Sequence, residues 1–175
     1  MGALSGVSAP RPLGEGDPRS RFDCGRGSIN QWFTRNAWAN QVSGASRVNV
    51  IIDNASGRVV GFVALGSSQI ERSFLPKPMQ RNIANPVPVT LLGQLGVDRD
   101  FQGFGHAASL IRFALVAAVR ASTQVGSFGV ITQPLDEELQ DFYAKWGFQA
   151  LPLVPGRTMI VRMSSIRAGL KEISQ

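Results

Sequence analysis

The spacing of apolar side chains predicts helices and strands in turn along the first half of the chain. One helical stripe, which Ser28 is placed to cap, comprises Ile29, Trp32, Phe33, Ala37 and Trp38. Residues 47–52 alternate between apolar and polar, and the turn sequence DNASG separates them from a second apolar run at 58–65. These two runs predict an antiparallel hairpin. Residues 66–73 are expected to add a short strand, and four prolines between 74 and 88 predict a long loop.

The second half of the chain predicts strands alternating with helices. Val89–Val97 is apolar on both faces, as a buried central strand would be. Helical spacing then runs from Phe104 to about Arg120, and a strand is expected at 128–132. Asp136 and Gly147 bound a short helix, strands are expected at 148–151 and 158–162, and 164–172 predicts a weak terminal helix. The predicted fold class is therefore a mixed α/β (α+β) sheet.

The length of 175 residues predicts one domain with a sizeable core. Half of residues 1–20 are Gly, Pro or Ser, so we expect a mobile arm at 1–21, the domain at 22–163 and a tail at 164–175. The single cysteine, Cys24, excludes an intrachain disulfide and a multi-cysteine zinc site, and no metal is expected. No apolar run approaches the roughly 20 residues of a membrane span, and the start is unlike a signal peptide. A cytoplasmic protein is predicted.

Positive charge is spread unevenly along the chain. The 18 basic and 12 acidic side chains give a net charge of +6, and 15 of the basic residues are arginine. Residues 1–90 carry +5, residues 91–156 carry −2 and residues 157–175 carry +3. A solvated basic surface and a binding surface for a polyanion both fit this composition.

The segment that follows the buried strand has the sequence pattern of an anion-binding turn. Gln102-Gly103-Phe104-Gly105-His106-Ala107 opens a helix directly after a strand. Glycines allow successive backbone N–H groups to point into one concavity, and the positive end of the helix dipole attracts an anion such as a pyrophosphate. The same glycines also fit the dinucleotide fingerprint of Rossmann folds, or tight packing of strand against helix with no ligand.

Three residues of this turn carry a resemblance to a known family. Gln102, Gly105 and Ala107 resemble the defining motif of the GNAT superfamily of N-acetyltransferases. The resemblance implies a central, mostly antiparallel sheet with one parallel pair at the cofactor site, and acetyl-CoA as co-substrate. It implies that the pyrophosphate lies on the amides of residues 102–107, and that the backbone of Leu95, Gly96 and Val97 pairs with the pantetheine arm. Such pairing would explain the glycine at 96.

A second motif and two longer stretches narrow the resemblance. Phe142-Tyr143 and Gly147-Phe148 resemble the FYxxxGF signature of the family. The segments around Phe22–Phe33 and Pro86–Asp98 are similar to the GNAT toxins of bacterial toxin-antitoxin systems, which acetylate the amino acid on charged tRNA. The resemblance implies Tyr143 as general acid, a ribbon-helix-helix antitoxin as partner and a homodimer.

The remaining candidate residues follow from the chemistry of acetyl transfer. A backbone N–H at Val97 is the expected oxyanion donor, and no general base is evident, because Asp98 and Asp100 are expected to be capping or solvated groups. His106 is expected at the surface and Cys24 as a buried thiol. The resemblance implies that two basic regions flank the acceptor: the loop with Arg72, Lys77 and Arg81, and the tail with Arg157, Arg162, Arg167 and Lys171. Acetylation of a small amine or a protein amine, and a non-catalytic binding module, remain as alternatives.

Overall fold

The computed structural model describes residues 6–174 as a mixed α/β fold. The strands are β1 (Arg11–Pro12), β2 (Arg47–Ile52), β3 (Val59–Ile70), β4 (Val87–Val97), β5 (Gly129–Thr132), β6 (Gln149–Ala150) and β7 (Met159–Arg162). The helices are α1 (Gly27–Arg35), α2 (Ala37–Ser43), α3 (His106–Ser122), α4 (Glu137–Lys145) and α5 (Met163–Ser174). Short 3₁₀ turns occur at Arg72–Phe74, Lys77–Met79 and Arg99–Phe101.

The sheet has seven strands in the order β1-β2-β3-β4-β5-β7-β6. The pairs β1–β2, β2–β3, β5–β7 and β6–β7 are antiparallel, whereas β4 and β5 are parallel. The parallel register runs from Thr90 opposite Val130 to Leu92 opposite Thr132. A mostly antiparallel sheet with one parallel pair confirms the predicted fold class. Among the described residues, no helix is long and apolar enough to cross a membrane.

The chain divides into two compact units, Met1–Gly66 with Gly93–Ala114 and Ser67–Leu92 with Leu115–Gln175. The core of the first unit places α1 and the hairpin β2–β3 around Phe62, whose ring stacks on Phe33 with centroids 4.2 Å apart. Trp32 and Trp38 are partly buried and pack against this core. The core of the second unit holds Leu75 of the proline-rich loop together with Ile131 of β5 and Leu151.

The hairpin and the central strand lie where the sequence predicted them, with one difference. β2 pairs with β3 from Arg47 opposite Leu65 to Ile52 opposite Val59, around the predicted turn. The short strand expected at 66–73 is instead the continuation of β3 as far as Ile70. The proline-rich segment after it forms a loop with two 3₁₀ turns, as its composition suggested.

The N-terminal segment is the largest departure from expectation. We expected a mobile arm over 1–21, but residues 6–13 follow the edge of β2 and its end. Ser8 N–H donates to Ile52 O at 2.8 Å, Leu13 N–H donates to Val48 O at 2.9 Å, and Leu13 is buried. Residues 1–5 lie outside the described residues. The edge of β2 offers free backbone groups to this segment, which composition alone does not show.

Two helical predictions also differ in detail. One continuous helix was expected near the N-terminus, but the helix divides at Asn36 into α1 and α2. Ser28 does not cap it, because the N-cap is Arg26 and no side chain caps this end. The terminal helix α5 starts at Met163, whose N–H donates to Phe128 O at 2.9 Å, and it packs on the second unit. The predicted boundary between domain and tail at 163 therefore has no counterpart in the packing.

Candidate active site

The turn between β4 and α3 presents backbone N–H groups to open space. Gly103 and Gly105 have φ of 86° and 84°, and a β-carbon at either position would meet nothing within 4 Å. The first bond of the α3 ladder is Ser109 N–H to Gly105 O at 3.1 Å. The N–H groups of His106, Ala107 and Ala108 precede this bond and are free of intrahelical partners. The turn therefore has the conformation that an anion site at a helix N-terminus requires.

Gln102 holds this turn against the end of β4 through its side chain. Its Nε2 donates to Val97 O at 2.9 Å and to Cys24 O at 3.1 Å. The Gln102 backbone N–H is itself used, since it donates to Arg99 O at 3.4 Å. The glutamine expected to bind pyrophosphate thus positions the turn, and the N–H groups left for an anion are those from Gly103 onward. No local signal in the sequence predicts this bracing.

Gly96 is explained by packing inside the first unit. A β-carbon on Gly96 would lie 3.2 Å from Ile29 Cγ2 and 3.3 Å from Cys24 Cβ. Leu95 and Val97 on either side are buried. The strand therefore needs glycine here to admit the loop before α1, a reason independent of the pantetheine pairing that the resemblance suggested. Burial raises the pKa of the Cys24 thiol, which is the buried thiol that we expected.

Two acidic groups beside the turn are occupied by local bonds. Asp98 is 3% exposed and accepts N–H bonds from Asp100 at 3.0 Å and from Asp23 at 3.1 Å. Arg58 of the β2–β3 hairpin pairs with Asp98 at 3.3 Å and with Asp100 at 2.9 Å. These carboxylates raise the pKa of the Arg58 guanidinium, with the Asp100 hydrogen bond as the main cause. Asp98 is thus the capping group that we expected, and Arg58 offsets negative charge next to the turn.

Phe104 and His106 extend from the turn itself. Phe104 is 75% exposed, and its ring centroid lies 6.5 Å from that of His106, the first residue of α3. His106 is partly exposed, in line with the surface position that we expected.

Tyr143 lies in the second unit, on α4. Asp136 caps this helix by accepting from Leu139 N–H at 2.9 Å, and Gly147 follows its end with φ of 92°. Tyr143 is 4% exposed, and its ring meets those of Phe142 and Phe148 edge-on at 5.2 and 5.3 Å. The FYxxxGF motif therefore folds into one aromatic cluster with the tyrosine at its centre.

The basic residues expected near the acceptor all lie in the second unit. Arg72 is half-buried and donates to Ile83 O at 3.1 Å, so it braces the proline-rich loop. Lys77 and Arg81 are exposed on the same loop. Arg157 is exposed and donates to Leu135 O at 3.1 Å, in the turn between β5 and α4. Arg157 and the helix that carries Tyr143 are therefore neighbours.

The C-terminal basic residues do not share one surface, although the sequence grouped them. β7 runs antiparallel to β5, with Met159 opposite Thr132 and Arg162 opposite Gly129. Arg157 precedes β7 and lies at the carboxyl end of β5, whereas Arg162 lies at its amino end. The charge of residues 157–175 is therefore divided between the two ends of one strand.

Acetyl-CoA fits the first unit in one testable respect. The open space at Gly103 and Gly105 would be filled by any side chain, and the N–H groups of the turn suit the diphosphate of the coenzyme. Among the described residues there is no group of three His, Cys, Asp or Glu side chains that could hold a metal.

Comparison with known proteins places this geometry in a family. The model of the acetyltransferase (GNAT) family matches residues 17–148. A tRNA-acetylating toxin of Mycobacterium tuberculosis is 36% identical over 165 residues, covering 94% of this chain and 98% of that protein. The structure of AtaT complexed with acetyl-methionyl-tRNAfMet has a TM-score of 0.85 at 29% identity, covering 94% of this chain and 99% of that one. A mutant AtaT toxin bound to the C-terminus of the antitoxin AtaR and acetyl-CoA has a TM-score of 0.78 at 25% identity, covering 94% and 98%.

The matched region includes both the turn at the start of α3 and the motif on α4. The alternatives of a Rossmann site and of a non-catalytic module are therefore wrong. The turn, the sheet with its single parallel pair and the family match agree, and the chain belongs to the acetyltransferase (GNAT) family as an N-acetyltransferase.

Proposed function

We propose that this enzyme transfers the acetyl group of acetyl-CoA to the α-amine of an aminoacyl-tRNA. The observation that carries the proposal is the exposed turn of Gly103–Ala107 in a chain that is 36% identical, over 94% of its length, to a tRNA-acetylating toxin. Because a blocked α-amine stops the amino acid from being used as an acceptor in translation, the reaction would act as a toxin in the cytoplasm.

The first unit would hold the co-substrate. The diphosphate would be bound by the backbone N–H groups of residues 103–107. The Gln102 side chain would hold this turn against the end of β4 through its bond to Val97 O. The pairing of β4 with β5 runs as far as Leu92 opposite Thr132. The backbone of Leu95–Val97 continues β4 beyond this point and would pair with the pantetheine arm.

The chemistry needs one proton donor and one oxyanion donor. The amine nitrogen forms a bond to the thioester carbonyl carbon, and the carbon–sulfur bond breaks. The Val97 N–H would stabilise the negative charge on the carbonyl oxygen. The Tyr143 hydroxyl, protonated at neutral pH, would donate its proton to the departing thiolate, while the amine loses a proton to water.

Solvent is the proton acceptor because the nearby carboxylates are already engaged. Asp98 accepts two backbone N–H bonds and faces Arg58, and Asp100 also pairs with Arg58. The α-amine of an aminoacyl ester is less basic than the amine of lysine, so a smaller fraction of it is protonated at neutral pH. It therefore depends less on a protein base for its deprotonation. This supports an aminoacyl acceptor over a lysine side chain.

The basic side chains of the second unit support a polyanionic acceptor. Lys77, Arg81 and Arg157 are exposed, and Arg157 lies beside the turn that leads into α4. Phosphate contacts supply most of the non-specific affinity of proteins for nucleic acids. We therefore expect these three side chains to contact the acceptor end of tRNA, with Arg72 bracing their loop.

The similarity to the GNAT toxins also suggests two protein partners, an antitoxin and a second copy of the chain. A ribbon-helix-helix antitoxin would bind this chain, and the chain would form a homodimer. Co-purification with the product of the adjacent gene tests the first expectation, and light scattering of the purified protein tests the second.

Removal of the Tyr143 hydroxyl is the test of the mechanism. Tyr143→Phe keeps the ring contacts with Phe142 and Phe148 and removes the hydroxyl. We expect labelled acetyl transfer from acetyl-CoA to total charged tRNA to fall roughly 100- to 10,000-fold, with acetyl-CoA affinity unchanged.

The matched control is Phe142→Leu, which removes a neighbouring ring and keeps the hydroxyl. It should retain most of the turnover. Full turnover by Tyr143→Phe would remove Tyr143 from the mechanism, and transfer to free amines but not to charged tRNA would replace the acceptor by a small amine.

A further inference from the structure

Four exposed cations of the second unit gather at the end of the sheet where β5 begins. This α3–α5 basic patch consists of Arg120, Arg162, Arg167 and Lys171. The register of β7 on β5 sets Arg162 beside Gly129, the first residue of β5. Arg167 donates to Ser122 Oγ at 2.8 Å, which joins α5 to the last residue of α3.

Three of the four cations of the patch lie on α3 and α5. Arg120 lies two residues before Ser122 in the last turn of α3. Arg167 and Lys171 are four residues apart on α5, so both occupy one face of that helix. The end of β7 and one face of α5 therefore carry positive charge near the start of β5, and Arg120 adds a cation on another face of the last turn of α3.

No carboxylate offsets this charge within residues 6–171, the part of the chain whose side chains are described. The Arg162 guanidinium lies over the Phe128 ring, 5.6 Å from its centroid, and Arg167 meets a neutral hydroxyl. Arg120 and Lys171 are exposed. Among these described side chains, none of the four cations has an acidic partner.

The patch is distinct from the basic residues near the acceptor. Arg157 lies at the carboxyl end of β5 and the patch at its amino end, and four residues of strand span roughly 13 Å. A small amine or the coenzyme at the α3 turn has no use for cations at this second place. A long polyanion that passes along the second unit can contact both.

We propose that the α3–α5 basic patch binds backbone phosphates of the tRNA body, away from its acceptor end. This inference rests on the proposed function, since it assumes tRNA as acceptor. Arginine forks and lysines on an exposed surface contact phosphates without reading sequence. The patch would therefore favour full-length tRNA over a short acceptor stem, whichever amino acid the tRNA carries.

The test compares two RNAs with two variants of equal charge change. Arg120→Gln/Lys171→Gln removes two cations of the patch and leaves intact the Arg167–Ser122 hydrogen bond and the contact of Arg162 with the Phe128 ring. Its matched control, Arg47→Gln/Arg112→Gln, removes two exposed arginines of the first unit. Binding of uncharged full-length tRNA and of an acceptor-stem minihelix is measured by fluorescence anisotropy over a salt series.

For the patch variant we expect roughly ten-fold weaker binding of full-length tRNA at low salt, and a salt slope reduced by about 1.5. Its affinity for the minihelix should equal that of the control variant. Equal losses for both RNAs, or equal losses for both variants, would overturn the proposal, as would weaker binding of an acidic antitoxin peptide with unchanged tRNA binding.

Uncharged RNA separates this inference from the proposed function. If the wild-type enzyme binds tRNA through the patch but acetylates no charged tRNA, the proposed reaction fails and the patch stands. If it acetylates charged tRNA and minihelix equally in both variants, the reaction stands and the patch fails.

Discussion

Arginine is used differently in the two units. In the first unit, Arg11 pairs with Asp17 at 2.8 Å, Arg99 pairs with Asp23 at 3.7 Å, and Arg58 pairs with Asp98 and Asp100. In the second unit, the guanidinium groups meet carbonyl and hydroxyl oxygens or a ring. These contacts are made by Arg72, Arg157, Arg162 and Arg167.

This difference changes the meaning of the charge distribution. Residues 91–156 carry −2, but Asp98 and Asp100 in that stretch are faced by Arg58 from the preceding hairpin. The surroundings of the turn between β4 and α3 are therefore less negative than the net charge of residues 91–156 suggests. We infer that arginine–carboxylate pairs hold loops of the first unit, whereas the exposed arginines of the second unit are available to a partner and only Arg72 among those named braces its own loop.

The largest expected effect on the comparison of the two units comes from a substitution in the turn between β4 and α3. Gly105→Ala places a methyl group in the open space that the diphosphate would occupy, and we expect acetyl-CoA affinity, measured by calorimetry, to fall roughly 100-fold. Gly57→Ala is the matched control, because Gly57 also has a positive φ, 74°, and open space around its β-carbon.

Both glycine variants should lose about 1 kcal/mol of stability from the left-handed backbone. Only Gly105→Ala should lose acetyl-CoA affinity, and neither should bind tRNA differently. Comparable acetyl-CoA affinity in the two variants would mean that the turn does not hold the coenzyme.

A smaller effect is expected when one arginine of each unit is replaced by glutamine. Arg58→Gln leaves Asp98 and Asp100 without their guanidinium, so we expect roughly three- to five-fold weaker acetyl-CoA binding with tRNA affinity unchanged. Arg157→Gln removes a cation that faces only a carbonyl, and should weaken tRNA binding by a similar factor with acetyl-CoA affinity unchanged. Calorimetry measures acetyl-CoA affinity and filter binding measures tRNA affinity for both variants. If each variant lost both affinities equally, the two units would not differ in their use of arginine.

The smallest effect concerns pH and the N-terminal segment. The Arg11 hydrogen bond holds the pKa of Asp17 below its ordinary value. Asp17 therefore contributes stability above the ordinary carboxyl pKa of about 4, and this contribution is lost as pH falls through the lowered pKa.

Asp17→Asn should be less stable than the wild type at pH 7 by under about 1 kcal/mol, because the pair is partly exposed. The gap should close on acidification below pH 4, as measured by urea unfolding. A gap that is unchanged at low pH would show that the pair contributes no stability.

Features set by neighbouring residues could be predicted from the sequence. Asp136 and Gly147 bound α4 as expected, and the glycines of the α3 turn adopt the positive φ that the motif implies. Each depends on a few consecutive residues, so the local pattern suffices. The FYxxxGF motif and the motif of the turn before α3 could likewise be recognised in the sequence, since each is short and contiguous.

Features that join distant segments could not be predicted. The pairing of Arg11 with Val50, the bracing of Gln102 on Cys24 and the space that Gly96 leaves for Ile29 each connect residues far apart in sequence. No periodicity encodes which distant group fills a gap or accepts a bond. The break at Asn36 was missed for a related reason, since the apolar stripe continues through it.

The sequence alone determined the family and the mixed sheet, and it predicted an anion-binding turn before α3 and Tyr143 as the candidate acid, because these depend on local spacing and short motifs. Only the tertiary structure decided how the charge is arranged. The antiparallel register of β7 on β5 sends Arg157 to one end of β5 and Arg162 to the other, and folding brings Arg58 onto Asp98. Electrostatic interaction depends on distance in space, and segment sums along the chain do not contain that distance.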